Sequence, residues 1–471
     1  MNLRKAALIN ASGKYSKIIL TIIVNAILAR ILSAKDYGIV AVVTVFSTFF
    51  STFSDMGLGT AVVQNKELTK DDLNNIFSFS IYVSLTLAIL FNLLAYPISI
   101  FYNGKVYISL VRILSISLFF DALNMVPNGI LNRNKKFKTL AIRTVVVYFI
   151  SALITVFLAL NNFKYYALVI QAVLTSFFTF VWNMATTGIT LKLRFNIQSV
   201  KQVFGYASFQ MGFNIIDYFS KNLDNLLVGK FFGSTSLGYY NKAYLLMTYP
   251  VNNLTGVVSP VLHPILSDFQ NQKEIIYKKY MKVFKLIYWA GLYVAPICYI
   301  AGYEIINIMY GPNWNQSIKC FQYLSFAIMA QMLSSSMYGI FQALGDTNLL
   351  FLGGIINFSI IASAILISVV IGGSMYTVSL AIAIAYNFSF IILLILLMKF
   401  GFHNSIFGLV KELKYEIIFT LFMIIMCKLY NFQIKNVFLS LACKIIYISV
   451  VFFVSYFAQG KLKEKEKSNG R

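Results

Sequence analysis

Runs of about 20 apolar residues follow one another along nearly the whole chain, and short polar segments separate them. A helix needs about 20 such residues to cross the hydrocarbon core of a bilayer. A transmembrane β-barrel would instead show segments of about ten residues with alternating polarity. The chain contains about 14 of these runs, and the pattern therefore predicts an all-α, polytopic membrane protein with about 14 transmembrane helices.

Composition and charge placement agree with this prediction. Hydrophobic residues make up 59% of the 471 residues and charged residues only 12%, whereas a soluble protein carries about 25% charged residues. The net charge of +23 by itself suits nucleic-acid binding. With the N-terminus in the cytoplasm, however, most Lys and Arg residues fall in cytoplasmic segments, among them the segment Arg133–Arg143, as the positive-inside rule requires. We therefore expect both termini in the cytoplasm, and membrane lipid rather than nucleic acid as a partner.

Two of the apolar runs carry a polar stripe, and the two stripes lie 200 residues apart. Because their residues step by three or four, each stripe occupies one face of a helix. The first consists of Asn10, Lys14, Lys17, Thr21 and Asn25, and the second of Gln210, Asn214, Asp217, Lys221 and Asn225. Ionisable groups in membrane helices usually face a bundle interior or a water-filled cavity and mark a substrate or ion path. The same stripe in both halves suggests a transporter built from two repeats around a central cavity.

The offset between the stripes continues beyond them. Tyr37-Gly38 aligns with Leu237-Gly238, and later, at an offset of 210, Asn128-Gly129 aligns with Tyr338-Gly339. Chance matching of apolar helices is the alternative explanation. Six runs per repeat is an even number, so both repeats enter the membrane from the same side and are parallel. The predicted parts are an N-terminal lobe at 1–200, a C-terminal lobe at 201–400, and two accessory helices with a basic cytoplasmic tail at 401–471.

The charges of the second stripe allow two interpretations. Asp217, Lys221 and Asp224 share one face of their helix. An unpaired charge at mid-membrane costs about 3 kcal/mol on insertion scales, and a Lys beside two Asp residues offsets much of that cost. The group is therefore either a structural ion pair or part of a cavity site. In the second case Asp217 and Asp224 would balance charge or bind a coupling H⁺ or Na⁺.

The lysines of the first stripe favour the cavity site, because Lys14 and Lys17 have no acidic neighbour on their helix. Lysines in a cavity wall need an anion or water, and a diphosphate group would supply the anion. Lys242, in the following apolar run, would extend this cationic surface. The predicted substrate-binding residues are Lys14, Lys17, Lys221, Lys242, Asn25 and Asn225.

Motifs of several enzyme classes are missing from the sequence. It has no G-x-x-x-x-G-K-[ST] phosphate loop and no H-E-x-x-H motif or Cys/His cluster. We find no Ser/His/Asp arrangement with a supporting context. We therefore expect no ATP hydrolysis, no metal centre, no cofactor and no enzymatic activity.

Several segments resemble a known family of exporters. They are LARILSAKDYG at 28–38, DMGLGTAVVQ at 55–64, NLDNLLVGKFFG at 222–233, LGYYNKAY at 237–244 and HPILSDFQ at 263–270. Together they are similar to the Wzx branch of the multidrug/oligosaccharidyl-lipid/polysaccharide exporter superfamily, especially to its colanic-acid exporter-like members. The resemblance extends over the first twelve apolar runs and carries no information about the sugar.

The resemblance implies two six-helix lobes around a central cationic cavity, with accessory helices. It also implies a flippase that moves an undecaprenyl-diphosphate-linked oligosaccharide from the inner to the outer leaflet of a bacterial cell membrane by alternating access. Such proteins serve capsule, exopolysaccharide or O-antigen assembly, which suggests the polysaccharide polymerase machinery as a further partner. Without an ATP site, the energy would come from an ion gradient or the membrane potential, worth about 2.3 kcal/mol per charge per 100 mV.

Two other functions stay open from the sequence. The first is a cation-coupled multidrug exporter of the same superfamily, although lysines in the cavity would repel cationic drugs. The second is a membrane glycan polymerase or glycosyltransferase, which generally needs catalytic acids or arginines in a large extramembrane loop. The longest predicted outer loop, at about 303–317, holds one acid, Glu304, and no base.

Overall fold

The backbone of this chain satisfies its hydrogen bonds within helices, which is one of only two solutions inside a bilayer. The computed structural model describes residues 3–54, 59, 62–63, 65–191, 208–255, 266, 269–270, 272–432 and 434–469. These residues form helices joined by short connections and include no strand. The predicted all-α class is therefore confirmed. The chain divides into two compact units, Met1–Gly238 and Tyr239–Arg471.

The helices of the first unit follow closely on one another, and the last of them continues into the second unit. They are α1 (Leu3–Ile31), α2 (Ala34–Ser54), α3 (Lys70–Leu93), α4 (Ala95–Phe101), α5 (Val106–Leu123), α6 (Met125–Arg133), α7 (Phe137–Leu160), α8 (Tyr165–Thr187) and α9 (Ser208–Pro250). The backbone of α9 leaves the helical conformation at Gly233, with φ 80° and ψ 170°. Only glycine adopts this conformation readily, and it breaks α9 after Phe232.

The second unit continues with helices of more varied length. They are α10 (Lys273–Ile300), α11 (Gly302–Tyr310), α12 (Asn315–Ser325), α13 (Ile328–Ala343), α14 (Thr347–Val370), α15 (Met375–Leu396), α16 (Ile406–Glu412), α17 (Lys414–Leu429) and α18 (Val437–Asn469). The described residues also form a 3₁₀ turn at Pro312–Trp314 and π-helical turns at Val251–Thr255 and Leu397–Gly401.

Polar residues in the short connections determine where helices begin. Before α2, the backbone N–H of Ser33 donates to Oδ2 of Asp36 at 3.0 Å, and the N–H of Asp36 donates to Oγ of Ser33 at 3.2 Å. Thr69 and Asp72 make the same reciprocal pair at the start of α3. Such capping boxes satisfy N–H groups that have no partner within the helix.

The predicted apolar runs all overlap helices. Among the described residues, nine helical segments are long and apolar enough to cross a membrane, or ten when the pair at Pro312–Ser325 and Ile328–Ala343, bent by 52°, counts as one span. The stripe-bearing helices α1 and α9 are not among these segments, although both are long enough to cross a membrane. The protein is thus a multi-pass membrane protein, and the total of about 14 spans stays a prediction.

Large apolar side chains are abundant on the outside of the helices. Val370 is 82% exposed and Ile371 79%, and exposed Ile, Leu, Val and Phe side chains recur on most helices. A soluble monomer rarely exposes apolar surface on this scale. Lipid tails are the solvent that this surface requires.

Two glycines of the first unit lie where backbones approach very closely. A Cβ added to Gly38 would stand 1.6 Å from the backbone oxygen of Ser234, and one added to Gly238 would stand 1.8 Å from that of Ala34. No larger residue fits without a backbone shift. The contacts are reciprocal, because positions 34 and 234, like 38 and 238, differ by 200.

Two predicted boundaries have different outcomes. The lobe boundary near residue 200 falls in 192–207, outside the described residues, and stays a prediction. The segment at about 303–317, predicted to be the longest outer loop, forms α11, the 3₁₀ turn and the start of α12, and its position outside the membrane stays a prediction. Gly302, Glu304, Ile306 and Tyr310 of α11 are buried, as expected for a helix that packs against its neighbours.

Candidate functional site

The lysines of the first stripe lie on an exposed side of α1. Lys14 and Lys17 are both exposed, and Nζ of Lys17 is 6.0 Å from the ring centroid of Tyr148 on α7. One turn before Lys17, α1 packs tightly on α7, since a Cβ added to Gly13 would stand 2.6 Å from Cβ of Ala141. This contact fixes the orientation of α1 and leaves the lysine ammonium groups accessible.

The rest of the first stripe is more enclosed. Thr21 is half-buried, and its hydroxyl donates to the backbone oxygen of Lys17 at 2.8 Å. The side chains of Thr21 and Gln171 lie beside the hydroxyl of Tyr148. Asn25 is half-buried and also interacts with a neighbouring group. The side chain of Asn10 lies outside the described residues.

The second stripe combines an exposed lysine with a buried acid and amide. Lys221 is exposed, whereas Asp224 and Asn225 are buried. Asn225 donates to Oδ1 of Asp224 from its backbone N–H at 2.7 Å and from Nδ2 at 3.1 Å. The side chains of Gln210, Asn214 and Asp217 lie outside the described residues, so the predicted charge cluster stays a prediction as a whole.

Lys242 has an environment unlike that of the stripe lysines. It lies in the second unit, where its side chain is 2% exposed. Its Nζ is 5.0 Å from the ring centroid of Tyr310 and 6.0 Å from that of Trp314. Aromatic rings stabilise a desolvated cation through their quadrupoles. The predicted role of Lys242 in substrate binding stays a prediction, and in this structure the ammonium group is enclosed by aromatic side chains.

A buried polar cluster in the first unit surrounds Arg143, which the charge distribution placed in a cytoplasmic segment. Arg143 lies within α7 and is only 9% exposed. Its Nη1 donates to Oδ1 of Asn128 at 2.7 Å and also to Oδ1 of Asn183. Nδ2 of Asn183 in turn donates to Oδ1 of Asn124 at 2.7 Å. Asparagines from the α5–α6 region and from α8 therefore hold the guanidinium in place.

The charge of Arg143 has no carboxylate partner within ion-pair distance among the described residues. Arg143 lies near enough to Lys17 for the two positive charges to repel. The periodicity of α7 contained a signal for this residue. Arg143, Val147, Ser151, Thr155 and Ala159 step by four and are all buried, so the buried face of α7 begins with a cation.

The second unit contains an ion pair, likewise not predicted, between a buried acid and a partly buried lysine. Oε1 of Glu304 on α11 accepts hydrogen bonds from Nζ of Lys444 and Oγ of Ser440, both at 2.6 Å. Lys444 also donates to the backbone oxygen of Ile300 at 3.0 Å. In the middle of α10, Lys285 donates to Oε1 of Glu412 on α16 at 2.6 Å. Charged pairs thus attach the helices after residue 401 to α10 and α11.

Comparison with known proteins identifies the family. Residues 27–319 match the family described as polysaccharide biosynthesis protein. This match covers more than half of the chain. The protein belongs to the polysaccharide biosynthesis protein family. The resemblance to the Wzx branch is therefore confirmed.

Named relatives of this family member come from different bacteria. It is 24% identical to the teichuronic acid biosynthesis protein TuaB of Bacillus subtilis, over 71% of this chain and 69% of TuaB. It is 22% identical to the lipopolysaccharide biosynthesis protein WzxC of Escherichia coli, over 80% of this chain and 77% of WzxC.

Two solved structures share the fold of this family member. The lipid II flippase MurJ, in an inward closed conformation, matches 97% of this chain and 100% of its own with a TM-score of 0.75 at 16% identity. An inward-facing multidrug resistance MATE family transporter of the MOP superfamily matches 83% of this chain and 98% of its own with a TM-score of 0.66 at 14% identity. At these identities the likeness concerns the fold alone.

Proposed function

We propose that this protein is a flippase that carries an undecaprenyl-diphosphate-linked oligosaccharide from the cytoplasmic to the outer leaflet of a bacterial cell membrane. Its product would serve capsule, exopolysaccharide or O-antigen assembly. The observation that carries the proposal is the combination of a family match at 27–319 with a MurJ-like fold along 97% of the chain. MurJ is named a lipid II flippase, and WzxC and TuaB are named for polysaccharide biosynthesis.

The exposed lysines of α1 and α9 would receive the negatively charged part of the substrate. Lys14, Lys17 and Lys221 are accessible on helices that are otherwise apolar. A lysine ammonium group binds phosphate as a point charge with three donors. Asn25 would offer its amide along the first stripe to the sugar or to bound water, and Asn225 would do so along the second in a conformation that exposes it. Lys242 would join them only in a conformation in which it leaves its aromatic surroundings.

Alternating access between the predicted lobes, 1–200 and 201–400, would move the substrate. Asp217 and Asp224 would balance the lysine charges or bind the coupling H⁺ or Na⁺. Both termini would lie in the cytoplasm, as the distribution of Lys and Arg favours. The membrane potential would then act on the net charge carried in each cycle.

Multidrug export is the second candidate, favoured only by the MATE-like fold. The cations of the first unit weigh against it, since Lys14 and Lys17 are exposed and Arg143 lies close to Lys17. A cationic drug would meet only repulsion from these groups. A glycan polymerase has less support still, because Glu304 is buried and bonded to Lys444 instead of standing in an open loop.

Reconstitution into liposomes tests the proposed function. Vesicles would contain a polyprenyl-diphosphate oligosaccharide, and an added glycosidase would report how much glycan becomes accessible or protected. We expect protein-dependent movement between leaflets, slowed about tenfold by Lys17→Ala and similarly by Lys221→Ala, because a charge-assisted contact to the diphosphate is lost.

Lys70→Ala provides the matched control, because Lys70 is an exposed lysine at the start of α3, away from the stripes. It should flip at the rate of the unmodified protein. Absence of movement with every glycan and ion gradient, together with drug sensitivity in a deletion strain, would favour the multidrug exporter instead.

A further inference from the structure

The polar cluster around Arg143 is unusual because it buries a cation among neutral groups. A buried charge is normally paired, since each ion loses several kcal/mol of hydration when it leaves water. Arg143 has only the oxygens of Asn128 and Asn183 as partners within the described residues. Amide dipoles orient a guanidinium but do not neutralise it.

Some N–H donors of the guanidinium make no hydrogen bond to the described residues. Both of its hydrogen bonds start from Nη1, so Nη2 and Nε donate to no protein atom in the described part of the chain. A guanidinium presents its donors in a planar fork that fits two oxygens of a phosphate group. The asparagines therefore fix one corner of the fork and leave the remaining donors for a ligand.

A second cation, Lys17 on α1, lies near Arg143 in the first unit. The contact of Gly13 with Ala141 places the turn of α1 that contains Lys14 and Lys17 beside the turn of α7 that contains Arg143. Lys17 lies close to both Tyr148 and Arg143. Two neighbouring cations repel, and a multivalent anion between them removes the repulsion. Arg143 is about 9 Å along α7 from its start, near the end that we predict to be cytoplasmic.

From these observations we infer that Arg143, held by Asn128 and Asn183, forms with Lys17 a binding site for a diphosphate group in the first unit. The guanidinium supplies a fixed fork and the exposed lysine a mobile charge. The site would receive the diphosphate as the substrate enters from the cytoplasmic leaflet. The assignment of this diphosphate to a lipid-linked substrate rests on the proposed function, whereas the diphosphate-binding site itself does not.

Binding of inorganic diphosphate to the full-length protein in nanodiscs of neutral phospholipid tests the inference. Calorimetric titration at fixed ionic strength should show about tenfold weaker binding for Arg143→Gln and an intermediate loss for Arg143→Lys, which keeps the charge without the fork. Arg112→Gln removes the same charge from an exposed position of α5 and should bind as the unmodified protein does. Unchanged binding by Arg143→Gln would overturn the inference.

Asn183→Asp separates a binding role from a structural one. The new carboxylate would pair with Arg143, so the thermal unfolding temperature should rise while diphosphate binding weakens about tenfold. Asn134→Asp adds the same charge at an exposed position after α6 and should change neither quantity. A stabilised Asn183→Asp protein with unchanged diphosphate affinity would show that Arg143 is merely structural. This variant also serves if Arg143→Gln fails to fold.

The source of the phosphate can be resolved in the same way. Repeating the titration in nanodiscs containing phosphatidylglycerol should leave diphosphate binding detectable, because two linked phosphates engage both cations. Complete displacement by the lipid would assign the site to a phospholipid headgroup and overturn the diphosphate assignment. No flipping is measured here, so failure of this inference leaves the flippase proposal standing on the family match and the MurJ-like fold.

Discussion

Arg143 in the first unit and Lys444 in the second have different kinds of partner. In the first, the guanidinium of Arg143 is held by asparagine amides. In the second, Nζ of Lys444 donates to the carboxylate of Glu304. The same carboxylate also accepts a hydrogen bond from the hydroxyl of Ser440. A cation with an acid partner is already neutralised and serves the architecture. A cation with only amide partners still attracts an anion, and we therefore infer that Arg143 is where a negatively charged substrate would bind.

The largest expected effect concerns the paired cation. Glu304→Gln should lower the free energy of unfolding by about 3 kcal/mol or more, because it leaves the charge of Lys444 buried without its partner. Unfolding in detergent micelles with increasing denaturant would measure this loss. The double variant Glu304→Leu with Lys444→Leu should recover most of it, since both charges then disappear.

Glu274→Gln is the matched control for the paired cation. Glu274 pairs with Lys278 at 2.8 Å on the surface of α10, and exposed pairs contribute little. Equal effects of Glu304→Gln and Glu274→Gln would contradict the structural role given to the buried pair.

The next effect concerns the glycine contact of the first unit, in which Gly38 packs against the backbone of Ser234 and no charged group takes part. Gly38→Ala should lower the free energy of unfolding by about 2 to 3 kcal/mol, because the new Cβ would meet the backbone oxygen of Ser234. The same measurement on Gly460→Ala provides the control, since a Cβ at Gly460 meets nothing within 4 Å. Gly38→Ala as stable as Gly460→Ala would show that the backbones separate easily.

The smallest expected effect concerns Lys242, whose buried ammonium group lies near the rings of Tyr310 and Trp314. Lys242→Met should lower the free energy of unfolding by about 1 kcal/mol, because it loses the cation–π contacts with Tyr310 and Trp314 but also the cost of burying a charge. Lys319→Met is the control. Lys319 is exposed and also faces two rings, those of Tyr323 and Tyr376, so water screens its contacts and the change should be smaller.

Flipping by the Lys242→Met protein would sharpen the comparison further. The structure favours unchanged flipping per folded molecule, because the ammonium group is enclosed. A tenfold slower rate with unchanged stability would instead support the sequence-based prediction that Lys242 binds substrate.

The sequence by itself determined the class of this protein and the position of its exposed lysines. Apolar runs of membrane-spanning length report helices directly, because a bilayer accepts few other structures. The spacing of Lys14 and Lys17 reports a common helix face, because helical geometry is local. The 200-residue offset located the glycines of the reciprocal contact, and the motifs at 222–244 indicated the family.

Only the tertiary structure decided which cations are paired. Arg143 lies near the start of a helix, where sequence reasoning expects a loop cation, and its partners come from residues up to 40 positions away. Glu304 and Lys444 are 140 positions apart. Periodicity reveals which face of a helix is polar, but the neighbouring helix determines whether that face meets water, an amide or a carboxylate. The electrostatic role of each charged residue therefore follows from packing, which local sequence does not encode.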